Sequence, residues 1–146
     1  MDRVLPYFSF AGRANRQRYW LTSLAIYGLM FIGILIGFVI PVVGPVVVAV
    51  TFIAALWAGL ATAARRLHDR DKSAWWLLLL YVPVFFLAAF AEIASQSSPV
   101  AGAGFNALTL PFSIWALVEL GMLKGTSGPN RFGPDPLQPS QVEVFS

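Results

Sequence analysis

A short charged run holds the residues whose types and spacing are best suited to chemistry. It contains Arg65, Arg66, His68 and Asp69. Arginine guanidinium groups bind phosphate oxygens through paired hydrogen bonds, and a neighbouring carboxylate can hold them in place through charge-assisted hydrogen bonds. The run therefore predicts a site that binds lipid headgroup phosphates or an acidic partner. The alternative is an anchor that sets membrane topology, because intracellular loops of membrane proteins are commonly basic.

His68 is the only histidine in the chain, and an imidazole titrates near neutral pH, where it can act as a general acid or base. One histidine beside one aspartate is a weak pattern, and the spacing indicates no serine partner for a catalytic triad. The chain has no cysteine, so we expect neither a metal site nor a cofactor. We predict a non-catalytic protein. A lipid-headgroup-modifying enzyme that uses His68 and Asp69 is the least favoured alternative.

Glu119 lies inside an apolar run, where a carboxylate is costly unless it is paired. It is about 7 Å from Lys124 along a helix with a rise of about 1.5 Å per residue. We interpret it as one partner of an intramembrane ion pair with Arg65 or Arg66, which lie at the same predicted depth. The alternative is a carboxylate that reaches water at the membrane interface.

Two further segments contribute arginines. Arg13, Arg16 and Trp20 share one face at helical spacing, which suits an interfacial segment on anionic lipid. Membrane contact explains this composition with fewer assumptions than nucleic-acid binding, so we expect no nucleic-acid partner. The predicted binding surface consists of Arg13, Arg16, Arg65, Arg66, His68, Asp69 and Arg131.

The elements that position these residues follow from composition. Hydrophobic residues make up 58% of the 146 residues, charged residues make up 12%, and the mean hydropathy is +0.70. A chain this short cannot bury so much apolar surface in a water-soluble core. A helix needs about 20 apolar residues to cross a bilayer, and the uncharged run 20–64 fits two spans around a proline-rich and glycine-rich turn at 41–45.

The sequence therefore predicts an all-α membrane domain over 1–146 with four transmembrane helices. The predicted spans are about 20–40, 46–64, 74–92 and 106–123, with a basic loop at 65–73 and an irregular tail at 125–146. All ten lysines and arginines fall on one side, and the opposite loops, 41–45 and 93–105, carry none. The positive-inside rule places both termini and the central loop in the cytoplasm.

Small residues occur at helical spacing in the first two spans. Gly33 and Gly37 form a GxxxG motif, and Ala55, Gly59 and Ala63 form a ladder. Small residues let helices approach closely in lipid. The first interpretation is packing within the chain, because a short turn forces the two spans together. Homodimerisation is the alternative.

Three sequence blocks together resemble a known bacterial family. They are Phe10-x-Gly12-Arg13-x-x-Arg16-x-x-Tyr19-Trp20, Arg65-Arg66-Leu67-His68-Asp69 with Ser73 and Trp75-Trp76, and Gly128-x-Asn130-Arg131-Phe132-Gly133-Pro134-Asp135-Pro136. Over residues 8–136 the chain is similar to the small inner-membrane family of unknown function numbered 805, the YhaH-like and YhaI-like proteins. The family pattern usually has one glycine near position 71 and another at position 74, where this chain has Asp71 and Ala74. The resemblance implies a multi-pass helical protein of the bacterial inner membrane, and it supplies no activity.

All three blocks lie on the predicted cytoplasmic side, which suggests one composite surface. We therefore predict a module that binds membrane lipids with anionic headgroups, a membrane-protein partner or a second copy of the chain. A small transporter or channel component is the alternative. It is disfavoured because the spans offer only scattered polar residues, such as Thr51 and Ser113, for a transport pathway.

Overall fold

The computed structural model describes residues 8–40 and 42–138, and its long elements are all helical. They are α1 (Arg16–Val39), α2 (Gly44–Asp69), α3 (Trp76–Ser95) and α4 (Pro99–Leu117), which continues into a π-helical turn at Val118–Met122. Within the described tail, the backbone forms turns and an isolated bridge between Asn130 and Gly133.

The four helices, with the π-helical turn counted as part of α4, are long and apolar enough to cross a membrane. Large apolar side chains point outward along them; Leu24 is 70% exposed and Phe38 is 87% exposed. Lipid rather than water solvates such a surface at low cost. The predicted all-α fold with four membrane-spanning helices is confirmed, and the orientation of the termini stays a prediction.

Helices α1 and α2 form one hairpin, and glycines let them pack closely. A Cβ atom at Gly33 would lie 2.9 Å from Oγ1 of Thr51, and one at Gly44 would lie 2.4 Å from the carbonyl oxygen of Gly37. The GxxxG motif therefore packs within the chain, as the first interpretation held. Homodimerisation stays a prediction.

Helices α3 and α4 form the second hairpin, and the two hairpins share a buried core at one end. This end is where α1 and α3 begin and α2 and α4 end, and we call it the charged end. The core consists of Ala63, Ala64, Leu67, Leu77, Leu80 and Leu120. Because these residues come from α2, α3 and the π-helical turn, the core fixes the hairpins to each other at the charged end.

Two helix boundaries differ clearly from the predicted spans. Helix α2 runs to Asp69, so residues 65–69 are helical rather than part of a basic loop. Its charged last turn is buried, because other segments of the chain cover it. Helix α4 begins at Pro99 rather than near 106, because the Ser98 hydroxyl accepts a hydrogen bond from the Ala101 N–H at 3.3 Å and proline suits a first helical turn.

The other predicted boundaries shift by smaller amounts. Helix α1 begins at Arg16 because the Asn15 side chain caps it, accepting a hydrogen bond from the Arg18 N–H at 2.8 Å. Helix α3 runs from Trp76 to Ser95. Three parts of the predicted domain lie outside the described residues, namely 1–7, position 41 in the first turn, and 139–146 in the tail.

Candidate functional site

Three chain segments close the charged end of the bundle, and we call them the cap: residues 8–15, 65–73 and 123–138. The Ala14 N–H donates a hydrogen bond to the Arg65 carbonyl at 3.0 Å, and the Thr126 N–H donates one to the Asp69 carbonyl at 2.8 Å. The amino-terminal segment and the tail are therefore both joined to the last turn of α2. The structure brings the three sequence blocks together at one end of the molecule.

Asp69 lies at the centre of the cap and is only 3% exposed. Its Oδ1 atom lies 3.1 Å from Nε and 3.0 Å from Nη2 of Arg13, and its Oδ2 atom lies 2.5 Å from Nη1 of Arg66. A Cβ atom at Gly125 would come within 2.0 Å of Oδ2, so this glycine lets the tail backbone pass directly over the carboxylate. The result is a buried centre in which two guanidinium groups share one carboxylate.

The same two arginines also bind backbone carbonyls of the tail and the π-helical turn. Arg13 donates from Nη1 to Gly128 at 2.7 Å and from Nη2 to Thr126 at 2.6 Å. Arg66 donates from Nε to Leu120 at 2.8 Å and from Nη2 to the carbonyl of Leu123. Each guanidinium group thus satisfies carbonyls that irregular backbone leaves without a helical partner.

These contacts correct the predicted binding surface. Arg13 is 7% exposed, Arg65 is 3% exposed and Arg66 is fully buried. Arg65 donates to the Ala61 carbonyl at 3.3 Å and to the Thr62 hydroxyl at 3.4 Å. The three side chains therefore lie inside the protein and cannot meet lipid phosphates at its surface. Arg65 and Arg66 belong to the end of α2, and the other cap segments enclose them together with Arg13.

Glu119 is buried, as the sequence predicted for a paired carboxylate, but its predicted partners are wrong. Its Oε1 atom lies 2.7 Å from Nη1 of Arg70 and 2.6 Å from Nζ of Lys72. The reason is the length of α2. The chain turns only after Asp69, so the cations just beyond the helix reach the π-helical turn, whereas Arg66 is directed to Asp69.

His68 connects the amino-terminal segment to the tail. Its ring stacks on Phe132 with centroids 3.9 Å apart and planes inclined by 3°. Its Nδ1 atom lies 3.1 Å from the Gly12 carbonyl oxygen, a contact in which Nδ1 must carry the proton and donate it. Asp69 binds the arginines instead of the imidazole, so the two residues do not form the acid–base pair that the enzymatic alternative requires. Within residues 8–40 and 42–138, no cluster of three or more candidate ligands could hold a metal ion.

Two predicted surface cations remain on the outside of the cap. Arg131 is paired with Asp71, its Nε atom 3.1 Å from Oδ1 and its Nη2 atom 2.6 Å from the carbonyl oxygen. Arg16 is exposed and donates from Nη1 to the Met122 carbonyl at 3.1 Å. The predicted surface is therefore divided between a buried set and an exposed set.

Asn130 in the cap and Trp20 in α1 also hold the charged end together, although neither was predicted as a site residue. Asn130 donates from Nδ2 to the His68 carbonyl and to the Thr126 hydroxyl, both at 2.9 Å. Trp20 donates from Nε1 to the Gly121 carbonyl at 3.1 Å. Asn130 and Trp20 belong to the sequence blocks quoted above, so block membership was the signal that could have found them.

A polar pocket of about 390 Å³ opens beside the buried centre. Its lining includes Asn15, Arg16, Lys124, Thr126, Ser127 and Asp135. Asp69 also borders it, with its charge compensated by Arg13 and Arg66. Arg16 and Lys124 are both exposed, so the pocket brings together two cations from opposite ends of the chain.

The profile of a family described as "Protein of unknown function (DUF805)" matches residues 7–134. The chain belongs to the DUF805 family. This DUF805 chain is 33% identical to inner membrane protein YhaI of Escherichia coli strain K12 over 134 residues, covering 89% of this chain and 87% of the relative. It is 29% identical to inner membrane protein YhaH of the same strain over 138 residues, covering 89% and 88%. No solved structure matches.

A third relative of this DUF805 chain is the uncharacterized protein YiiR of Escherichia coli strain K12. It is 31% identical over 132 residues, which cover 88% of this chain and 86% of the relative. With four apolar helices and inner membrane proteins as relatives, the DUF805 chain is a multi-pass inner-membrane protein. The predicted family and localisation are confirmed.

Proposed function

We propose that this DUF805 protein is a non-catalytic membrane module that binds anionic lipid headgroups in the polar pocket of its cap. The observation that carries the proposal is the pair of exposed cations, Arg16 and Lys124, on the pocket wall. Arg13 and Arg66 support the site indirectly, because they hold the backbone of the tail and the π-helical turn in place.

The charges around the pocket favour an anion. Asp69 is compensated by two arginines, which leaves Asp135 as the carboxylate of the lining that forms no ion pair with the described residues. Asp135 accepts hydrogen bonds from the backbone N–H groups of Leu137 and Gly128, each at 2.9 Å. These hydrogen bonds hold the pKa of Asp135 below its usual range. The pocket therefore has two exposed cations, Arg16 and Lys124, and one carboxylate without an ion pair, Asp135, so its local charge is positive.

The position of the pocket suits a headgroup rather than an acyl chain. Arg16 begins α1, and Trp20 follows one helical turn later. A tryptophan at this level is typical of the interface between headgroups and hydrocarbon. With the predicted orientation, the pocket faces the cytoplasmic leaflet, whose anionic lipids attract cations near the surface.

The test is native mass spectrometry of the full-length protein released from bilayers of phosphatidylcholine and phosphatidylglycerol. Each cation near an anionic surface contributes about 1 kcal/mol, so Arg16→Gln and Lys124→Gln should each lower phosphatidylglycerol retention about fivefold. Arg131→Gln is the matched control, because it removes an exposed cation that is paired with Asp71 outside the pocket. Equal losses in all three variants would indicate diffuse attraction and contradict the pocket, as would unchanged retention in both pocket variants.

A further inference from the structure

A second cavity lies between the two hairpins, within the membrane-spanning part of the molecule. It has a volume of about 490 Å³ and is lined by α1, α2 and α3. Its lining includes Tyr19, Ser23, Tyr27, Gly59, Tyr81 and Phe85. We call it the inter-hairpin cleft. It is separate from the polar pocket of the cap, which uses other residues.

The floor of the cleft is formed by the small residues of α2. A Cβ atom at Gly59 would have no neighbour within 4 Å, whereas one at Gly33 would lie 2.9 Å from Thr51. Gly59 therefore does not serve close helix packing as Gly33 does. Within the ladder predicted as a helix contact, Ala55 and Ala63 are buried, whereas Gly59 between them borders open space between the hairpins.

Hydroxyl groups are concentrated in this cleft. Tyr19, Ser23 and Tyr27 follow one another at four-residue spacing on α1, and Tyr81 contributes from α3. Among the described residues, no hydrogen bond joins the hydroxyl of Tyr27 or Tyr81 to the protein, and the two side chains are 70% and 40% exposed along the open cleft. Hydrogen-bonding groups at hydrocarbon depth are costly when they have no partner. The two phenol groups thus point to a ligand that supplies an acceptor.

We propose that the inter-hairpin cleft binds a flat, lipid-soluble ring with carbonyl acceptors and an apolar tail, the chemistry of an isoprenoid quinone. The tyrosine hydroxyls donate to its carbonyl oxygens, and Phe85 offers an aromatic wall to the ring. The open space at Gly59 provides room for the ring. The volume and the largely apolar, aromatic lining with a few polar groups are those of small-molecule sites. A saturated acyl chain would fill the same space but would leave both phenols without an acceptor.

The test uses the full-length protein in phosphatidylcholine nanodiscs, titrated with decylubiquinone and followed by quenching of tryptophan fluorescence. We expect saturable quenching in the wild type and its loss in Gly59→Leu, which fills the cleft. Gly28→Leu is the matched control, because a Cβ atom at Gly28 also has no neighbour within 4 Å but the residue does not line the cleft. Tyr27→Phe and Tyr81→Phe should each weaken binding about fivefold, the effect of one ordinary hydrogen bond.

Decylbenzene, tested by competition, separates the ring from its tail, because it has a similar tail and no acceptor. It should not displace decylubiquinone. If it competes equally well and the phenylalanine variants bind like the wild type, the cleft takes apolar chains only and the inference is wrong. Quenching that does not saturate, or that is equal in the wild type and Gly59→Leu, would also overturn it. A dimer that Gly59→Leu disrupts, without quinone binding, would assign the cleft to a second copy and contradict the proposal.

Discussion

Asp69 is the residue on which the three segments of the cap converge. Arg13 and Arg66 both bind its carboxylate, and all three side chains are nearly or fully buried. Asp69→Asn would keep the shape but leave two buried guanidinium groups without a counter-charge. Since breaking a buried ion pair from one side costs about 3–5 kcal/mol, we expect a loss of this order in the free energy of unfolding, measured in mixed detergent micelles.

The control for Asp69→Asn is Arg131→Gln, which removes an exposed ion pair from the same cap. Exposed pairs contribute about 0–1 kcal/mol, so this variant should unfold almost like the wild type. If the two variants lose the same stability, Asp69 does not organise the cap. Both substitutions replace one charged side chain by a neutral amide, so the loss of a charge is common to them. A difference in stability between the two variants therefore reports the burial of the ion pair.

At the residue scale, the sequence identified the charged run that begins at Arg65 and showed that Glu119 needs a cation. It did not show which cation pairs with which carboxylate. Glu119 binds Arg70 and Lys72, and Asp69 takes Arg66. Which cation meets which carboxylate depends on where α2 ends, and a shift of one helical turn changes every partner. Residue types alone do not contain that information.

The turn that follows α2 is the element-scale feature with a direct test. Asp71 has a φ angle of +55°, a left-handed conformation that costs roughly 1–2 kcal/mol in residues with a Cβ atom and little in glycine. Asp71→Gly and Asp71→Ala both remove the exposed ion pair with Arg131, so their difference reports the backbone conformation. We expect the glycine variant to be more stable than the alanine variant by about 1 kcal/mol in the same unfolding assay. If the alanine variant were the more stable of the two, the left-handed backbone conformation at Asp71 would be contradicted.

The helices were predictable where the signal was a long uncharged run, and less so where charge or glycine suggested a loop. Residues 65–69 are charged yet helical, because tertiary contacts from the amino-terminal segment and the tail compensate their burial. Residues 99–105 contain glycines yet open α4. The Ser98-Pro99 pair was a visible helix-start signal that the loop-like composition of the neighbourhood outweighed.

The orientation of the whole molecule is a prediction that single cysteines can test, because the chain has no cysteine of its own. Ser97 lies between α3 and α4, and Ser127 lies in the cap at the opposite end; both are exposed. A membrane-impermeant maleimide should label Ser97→Cys in spheroplasts, whereas Ser127→Cys should react only after the membrane is permeabilised. The reverse labelling pattern would contradict the positive-inside assignment.

The arrangement of the two hairpins was beyond the reach of the sequence. The short turn at 41–45 predicts that the first two helices are neighbours, and the GxxxG contact follows from that proximity. Whether the hairpins stay together along their length depends on contacts between residues far apart in the chain. The core joins them at the charged end, while the inter-hairpin cleft separates them further into the membrane.

The path of the cap also imposes an order on biosynthesis. Arg13 and Arg66 are translated well before residues 120–128, whose carbonyl groups they bind. The first hairpin can therefore enter the bilayer while the guanidinium groups still lack these partners, since chains begin to fold from the amino terminus during synthesis. The cap closes only when the ribosome has released the segment around Gly128. In a nascent chain interrupted before that point, the guanidinium groups of Arg13 and Arg66 stay accessible, whereas the finished molecule buries them.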